Sequence, residues 1–413
     1  MKKSLVLLSC LSAVAILASC GGGTAWSWNE AKSDGVLNYG LLIGQIDHND
    51  SAARTAGIRD ALKTRGTVLT NANTETPVEG SIAISGTNYK VVEVEHAEQR
   101  ATGGATWDQA TATSTAETWN NKYGNKLDFI VSNNDGMAEG AIGASNWRTG
   151  TPIFGYDSNA STLNYIKEGK IMGTINQNAS AQAAGIMMLT RNCIDKVAAP
   201  TASGFSAASD NGYGKISSAF TYKDTDGSML VDNFKITAEN VDGYLGKTSA
   251  DLIDTAVTKG TTASSKVWLS YYSSTDTFLN STMKPLFEGY KDKFNFDVTA
   301  TFGNANDEAT SISNLETALN TKTYKAYVIN MVKTTSTASY LDKIATTYSA
   351  TSENPTDVPV IFWNRQGTNS DGTVDTATMK DSRFKYIYYV GFDAIQGGKL
   401  QGEMIVDYLQ NLK

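Results

Sequence analysis

His48, Asp50 and Arg54 follow the apolar run Leu37–Ile43, Trp107 and Asp108 open a helical pattern, and Asn134 and Asp157 close two further apolar runs. Gln177 follows a third such run; in the second half, Asp276 and Phe278 come after Val267–Tyr272, and Asn364 ends Val358–Trp363. Taken singly, each of these residues reads best as a helix cap or a turn residue. Their recurrence at the carboxyl ends of strand-like runs says more, because ligands of open α/β sheets bind outside those ends. The chemistry such groups could do is recognition of a polyhydroxylated molecule. A hydroxyl both donates and accepts, so Asp, Asn, Arg and His satisfy it in pairs, and the C–H faces of a pyranose pack on flat aromatic rings.

Catalytic constellations are scarce. There are two histidines, His48 and His96, too few for a histidine-based zinc site or proton relay. No Walker-type loop is present, and Gly212-Tyr213-Gly214 lacks the rest of a dinucleotide fingerprint. Carboxylate pairs stay open, as in any acidic chain, but no enzyme is expected. The formal charge of −7, without a basic stripe, argues against nucleic acid as a partner. His96 reads as a solvated loop residue.

Such side chains need elements to hold them. Leu127–Val131, a turn at Asn133-Asn134-Asp135, a helical pattern over Met137–Trp147 and a strand at Pro152–Tyr156 make one strand-helix-strand unit. Similar alternation runs from Leu37 to Ile175 and restarts at Val267, which predicts two α/β lobes with parallel, doubly wound sheets. The polar stretch 71–90 reads as a surface excursion. Phe220–Ile236 reads as a hairpin region turning at Thr225-Asp226-Gly227, and 259–265 as a polar linker without a hydrophobic anchor.

The first residues are set apart from this pattern. Lys2 and Lys3 precede an apolar run from Leu5 to Leu17, and Leu-Ala-Ser-Cys follows, ending at Cys20. That layout is a signal peptide. Its ending resembles a bacterial lipobox, which implies cleavage before Cys20 and acylation of its thiol; the alternative is an ordinary signal peptide with an incidental cysteine. Cys193 lies in a helical pattern and reads as a small buried hydrophobe, so no internal disulfide is expected.

Several motifs together resemble the glucose/galactose-binding proteins that deliver sugars to bacterial ABC importers. They are HNDSAAR (His48–Arg54), VSNNDGMAEGA (Val131–Ala141), TPIFGYD (Thr151–Asp157), YIKEGKIMGTI (Tyr165–Ile175), VPVIFWN (Val358–Asn364) and IYYVGFD (Ile387–Asp393). Their order is swapped relative to that family, as in a circular permutant. The resemblance implies a circularly permuted type I periplasmic-binding-protein fold. Its parts would be a leader (1–19), a lipidated tether with a degenerate loop (20–35) and a first lobe (36–177) on which the helix at 394–413 packs. An interlobe helix and hairpin (178–258), the linker (259–265) and a second lobe (266–393) complete it.

Carried over residue by residue, the resemblance places Trp107 and Phe278 on opposite faces of a pyranose and Asp276 at the 4-hydroxyl, with Asn364 beside it. His48, Asp50 and Arg54 would serve the anomeric side, and Asn134 and Asp157 the remaining hydroxyls. Gln177 stands where the family has Asn. The family's calcium loop aligns with Glu30 to Asn38, but Lys32 and Val36 fall at two ligand positions. Glu30, Asp34 and Asn38 remain, and since an ammonium opposes a divalent cation, no calcium or other cofactor is expected. The implied protein is a periplasmic, lipid-anchored monomer that presents D-glucose or D-galactose to an ABC permease. Alternatives are presentation to a chemoreceptor, a pentose or nucleoside ligand, or a surface adhesin.

Overall fold

A computed structural model of the chain describes residues 25–46, 48–62, 80–197, 212–303 and 307–412. The leader and Cys20 lie outside the described residues.

After a short helix α1 (Trp28–Ala31), the strand β1 (Val36–Ile43) becomes the centre of the first sheet. Its last five residues are buried without a break, as in a parallel strand covered on both faces. Beside it lie β3 (Thr87–Glu98) and β4 (Phe129–Ser132), both parallel to it, and β5 (Ile153–Phe154) and β6 (Gly173–Asn176) continue the sheet. The connecting helices are α2 (Asn49–Ala61), α3 (Gln109–Tyr123), α4 (Asp135–Ile142) and α5 (Ala160–Lys167). The described part of the stretch 71–90 is not a loose excursion: β2 (Gly80–Ile84) pairs antiparallel with β3 and forms the sheet edge.

At Asn176 the chain leaves this lobe for α6 (Ala179–Asp195), which packs on the second lobe. There β7 (Phe220–Lys223) and β8 (Ser228–Val231) form the expected hairpin. The third run of that region, β9 (Phe234–Thr237), returns to the first sheet and pairs antiparallel with β6. Residues 259–265 are pinned rather than loose. The Asn295 amide donates to Gly260 O at 2.8 Å and Thr262 O at 3.1 Å, and Gly260 leaves no room for a Cβ beside the Tyr213 ring.

The second sheet is built from β10 (Ser265–Tyr271), β11 (Phe296–Phe302), β12 (Ala326–Ile329), β13 (Val360–Trp363) and β14 (Ile387–Phe392), all parallel. It is covered by α7 (Lys284–Lys291), α8 (Glu308–Thr321) and α9 (Thr337–Tyr348). The sheet orders are β2-β3-β1-β4-β5-β6-β9 and β11-β10-β12-β13-β14-β8-β7. In the first sheet β1 lies between β3 and β4, and in the second β10 lies between β11 and β12, the reversal that opens a crevice at strand carboxyl ends.

The last helix, α10 (Ala394–Gln410), crosses back and lies along α2 of the first lobe. Small residues let the two backbones touch. A Cβ on Gly57 would stand 2.2 Å from the Gly398 carbonyl carbon, and one on Gly398 would stand 2.3 Å from Ala53 O. Three crossings therefore join the lobes, at 177–178, 232–233 and 393, and residues 238–264 form a further link between the sheets.

Candidate functional site

Both crevices open onto the same cleft, lined by His48, Asp50, Arg54, Trp107, Asn134, Asp157, Gln177, Asp276, Phe278 and Asn364 with Tyr272 and Arg365; counting its open mouth, it encloses about 360 Å³. The ligand-contact candidates read from the sequence are thus brought to one place.

Helix caps hold much of the first lobe's contribution. His48 is the N-cap of α2, and its Nδ1 accepts the Asp50 N–H at 3.2 Å. Asn134 caps α4, its Oδ1 accepting the Met137 N–H at 2.9 Å, so its amide nitrogen is left for a ligand acceptor. Trp107 carries a φ of 61° and donates its N–H to Gly44 O at 3.2 Å. Asp157, with φ 121°, donates its N–H to Ile175 O at 2.8 Å and accepts the Gln177 amide on Oδ1. Non-glycine residues held at positive φ are costly and concentrate at binding sites. Gln177 Oε1 and Arg54 Nε are buried without a partner among the described residues. An orphaned acceptor and an orphaned donor in one cleft are what an incoming hydroxyl satisfies.

Arg54 organises the floor. Its Nη1 donates to Asn133 O at 2.6 Å and lies 3.7 Å from Asp157 Oδ1, while the guanidinium sits 3.6 Å from the centroid of the Tyr156 ring. Burial, opposed by Arg54, raises the Asp157 carboxyl well above the usual carboxylate range. Burial also raises Asp50 to about 6, with Arg54 and Arg365 pulling the other way. His48 is held well below its ordinary value by burial and by Arg365 and Arg54, so it is neutral. With Nδ1 accepting the Asp50 N–H, the neutral ring carries its hydrogen on Nε2 and can donate it to a ligand oxygen.

In the second lobe, Asp276 Oδ1 accepts the Leu279 N–H at 2.8 Å, where a single π turn (Leu279–Met283) begins, a local irregularity often found at functional sites. Tyr272 OH donates to Asp276 Oδ2 at 2.5 Å, and the Arg365 guanidinium lies 3.5 Å from the Tyr272 ring centroid while donating to Val332 O. Asn364, at φ 60°, accepts on Oδ1 from Asn330 at 3.1 Å. Phe278 is buried in the same wall.

Sequence reasoning missed Tyr272 and Arg365. It also missed a matched pair behind the site. Asn133, directly after β4, accepts the Gly44 N–H at 3.2 Å; Asn330, directly after β12, the corresponding strand of the second lobe, accepts the Tyr272 N–H at 2.9 Å. Each asparagine ties two neighbouring strand ends together. Its position directly after an apolar run was the available signal.

The degenerate loop lies away from the cleft-lining residues. Glu30 pairs with Arg148 at 3.0 Å, Asp34 accepts the Val36 N–H at 3.0 Å, and the Asn38 N–H goes to Asp128 Oδ2 at 2.7 Å. A guanidinium is thus the counter-charge of Glu30. Among the described residues no group of three or more His, Cys, Asp or Glu side chains is placed to hold a metal. His96 is on β3, not in a loop, and its Nδ1 lies 2.9 Å from Glu93, a buried carboxylate that also receives Arg59 and Tyr39.

Residues 13–196 match a periplasmic binding protein domain model, and residues 264–337 match a second model of the same description. With the two sheet orders above, that decides the architecture. This is a type I periplasmic-binding-protein fold. The chain is 27% identical over 172 residues to the D-galactose/methyl-galactoside binding periplasmic protein of Haemophilus influenzae, covering 40% of this chain and 44% of that one. It is 29% identical over 173 residues to the xylitol-binding protein of Mycolicibacterium smegmatis, covering 38% and 49%. The chain therefore spans about half the length of the curated relatives it matches. Among solved structures, a carbohydrate transporter solute binding protein from Agrobacterium radiobacter in complex with D-arabinose aligns over 92% of this chain and 90% of its own, at 12% identity and a TM-score of 0.47. No helix among the described residues of this periplasmic-binding-protein fold is long and apolar enough to cross a membrane.

Proposed function

We propose that this chain captures a monosaccharide, D-glucose or D-galactose, between its lobes and presents it to an ABC permease. One observation carries the reading: a single cleft is lined by an aromatic residue from each lobe, Trp107 and Phe278, together with the acceptors and donors that ring hydroxyls need. A ligand bonded to both lobes stabilises the closed arrangement by its differential contacts, which is how capture couples to closure. A hexose has about a dozen heavy atoms, and at roughly 0.6–0.7 kcal/mol per atom its binding free energy reaches about −8 kcal/mol, a dissociation constant on the order of micromolar.

The rest of the proposal follows from the sequence. The chain acts as a monomeric binding protein and not as an enzyme, tethered through acylated Cys20 at the periplasmic side of a bacterial membrane, with no calcium or other cofactor. Its lobes occur in rotated order relative to the family it resembles, with the linker 259–265, at the end of the 238–264 connection, joining what are elsewhere the two ends. Delivery to a chemoreceptor uses the same cleft chemistry. A pentose or a polyol is the second ligand reading, favoured by the xylitol-binding relative.

Titration calorimetry with D-glucose, D-galactose, D-ribose and xylitol, read in parallel by tryptophan fluorescence, tests the proposal. Micromolar binding of a hexose with a fluorescence change is expected. A flat response to all four overturns the sugar reading; a response to D-ribose or xylitol alone moves it to the second.

A further inference from the structure

The two strands that lead to Asn134 and Asp157 part company just before they reach the cleft. The ladder between β4 and β5 has registered pairs at Ile130 with Ile153 and Val131 with Phe154, so the next pair in line is Ser132 with Gly155. At that rung a side chain stands in for the ladder. The Gln401 amide nitrogen donates to Ser132 O at 2.8 Å and to Gly155 O at 3.0 Å. Asn134 is two residues beyond the first of these carbonyls, and Asp157 two residues beyond the second. Past the bridge, the next link between the two chain segments is the Asp135 N–H to Tyr156 O at 2.7 Å.

Gln401 comes from α10, the last helix of the chain, and is wholly buried. Its own oxygen, Oε1, has no partner among the described residues. Reversing the amide would turn that oxygen onto two carbonyl oxygens, so the carbonyls dictate the orientation. A leucine of similar volume would fill the same space and leave no orphaned acceptor of its own; what it would not do is hold the two carbonyls together. The reach of the side chain depends on how deeply α10 sits. The neighbouring residue, Gly402, sets that depth with Gly398, since a Cβ on Gly402 would come within 2.6 Å of Gly57 O.

We propose that Gln401 is a positioning residue for the cleft: by bridging Ser132 O and Gly155 O it fixes the separation of the two strand ends that carry Asn134 and Asp157. The effect on sugar affinity rests on the reading of the cleft given above, whereas the bridge itself does not. Through this one side chain the last helix acts on the cleft without touching ligand.

Two measurements on purified Gln401→Leu protein separate these points. Hydrogen exchange in the absence of ligand is expected to quicken at least tenfold in the segments 131–137 and 154–159, and to be unchanged in the second lobe's strands. D-glucose affinity by calorimetry is expected to fall at least fivefold. Leu409→Ala, which removes apolar packing from the same helix, should lower the melting temperature yet keep the parent's affinity and leave those two segments no more changed than the rest of the lobe. Gln401→Asn, one methylene shorter, is measured alongside and should fall between parent and Gln401→Leu; if the leucine variant does not fold, the asparagine variant is judged by the same criteria. Unchanged exchange in both segments, or an affinity within twofold of the parent despite altered exchange, overturns the positioning role. Local exchange that quickens in a protein whose parent ignores D-glucose upholds the bridge and counts against D-glucose as the ligand instead.

Discussion

His48 meets Trp107 edge-on, with 5.6 Å between ring centroids and 88° between planes. The contact presets the indole before any ligand arrives, and so does the backbone beneath it: a Cβ on Gly44 would come within 2.1 Å of the Trp107 ring. An aromatic wall fixed in this way gives up little conformational entropy on binding. Trp107→Ala is expected to weaken D-glucose binding by about 2–3 kcal/mol, roughly 30- to 150-fold, through lost stacking area. Gly44→Ala leaves the ring in place chemically but displaces it, and should cost at least tenfold in affinity. Calorimetry on both variants decides the matter; parent-like affinity in Trp107→Ala would show that the indole is no part of the binding wall.

Asp50 gives binding and stability opposite pH dependences. Burial raises its carboxyl to about 6 in the folded protein, against about 3.9 in an unfolded chain. The native state therefore holds this proton more tightly than the unfolded state does. Its contribution to stability is full below about 3.9 and is lost as pH rises through about 6. Sugar hydroxyls need the carboxylate as acceptor, so affinity should fall as pH drops below 6, by up to about tenfold per unit for one proton. Asp157, also raised by burial, broadens the curve. In Asp50→Asn the component centred near 6 should vanish from the affinity profile between pH 4.5 and 8. A profile unchanged by the substitution would mean that Asp50 stays ionised in the free protein or does not meet the ligand.

Asp128 makes the same argument away from the cleft. Burial first, and then Asp34 and Glu30, raise it to about 7, while the Asn38 N–H and Arg148 oppose them. Above pH 7 the folded protein holds a charge that it disfavours. Asp128→Asn keeps an acceptor for the Asn38 N–H and removes that charge. Its melting temperature should exceed the parent's by roughly 2 °C at pH 8, and the gap should narrow toward pH 4.5. With Arg148 already paired to Glu30, added calcium or a chelator should shift neither melting curve; a calcium-dependent rise in the parent would reinstate the metal loop.

Much of this architecture is legible in apolar runs ended by polar residues, because a parallel strand buried on both faces must be followed by a group that can turn the chain. What periodicity does not carry is which sheet a strand joins. β8 and β9 are separated only by Asp232 and Asn233, a spacing that reads as a hairpin, yet they belong to different lobes. The choice is made by long-range contacts, among them the Asn233 amide donating to Asp393 O at 2.8 Å and to Gln396 at 2.7 Å. In the site, Tyr272 was hidden because an aromatic closing an apolar run looks like strand core. Arg365 was hidden because its neighbour, Asn364, drew the functional reading; only the fold shows the guanidinium lying over the Tyr272 ring.

The rotated order itself can be tested by undoing it. If residues 238–264 join what are two ends in the resembling family, opening the chain there and closing it after α10 should give the same fold with the lobes in the other sequence. The opening is best made at Lys247, which is exposed beside Gly246 in a turn, and not in 259–265, where Asn295 and Tyr213 hold the backbone. Exposed turns of this kind tolerate new termini, and a flexible Gly/Ser segment from residue 412 to residue 25 would restore continuity. Every residue lining the cleft keeps its strand and helix in such a variant, and α10 keeps its place along α2. The variant is expected to be folded by circular dichroism, to melt within about 10 °C of the parent and to bind D-glucose within about threefold. A variant that folds and binds supports the rotated order as an interchangeable connection. One that reaches only an unfolded or aggregated state would show that residues 238–264 are integral to this fold and that its order is not a simple rotation.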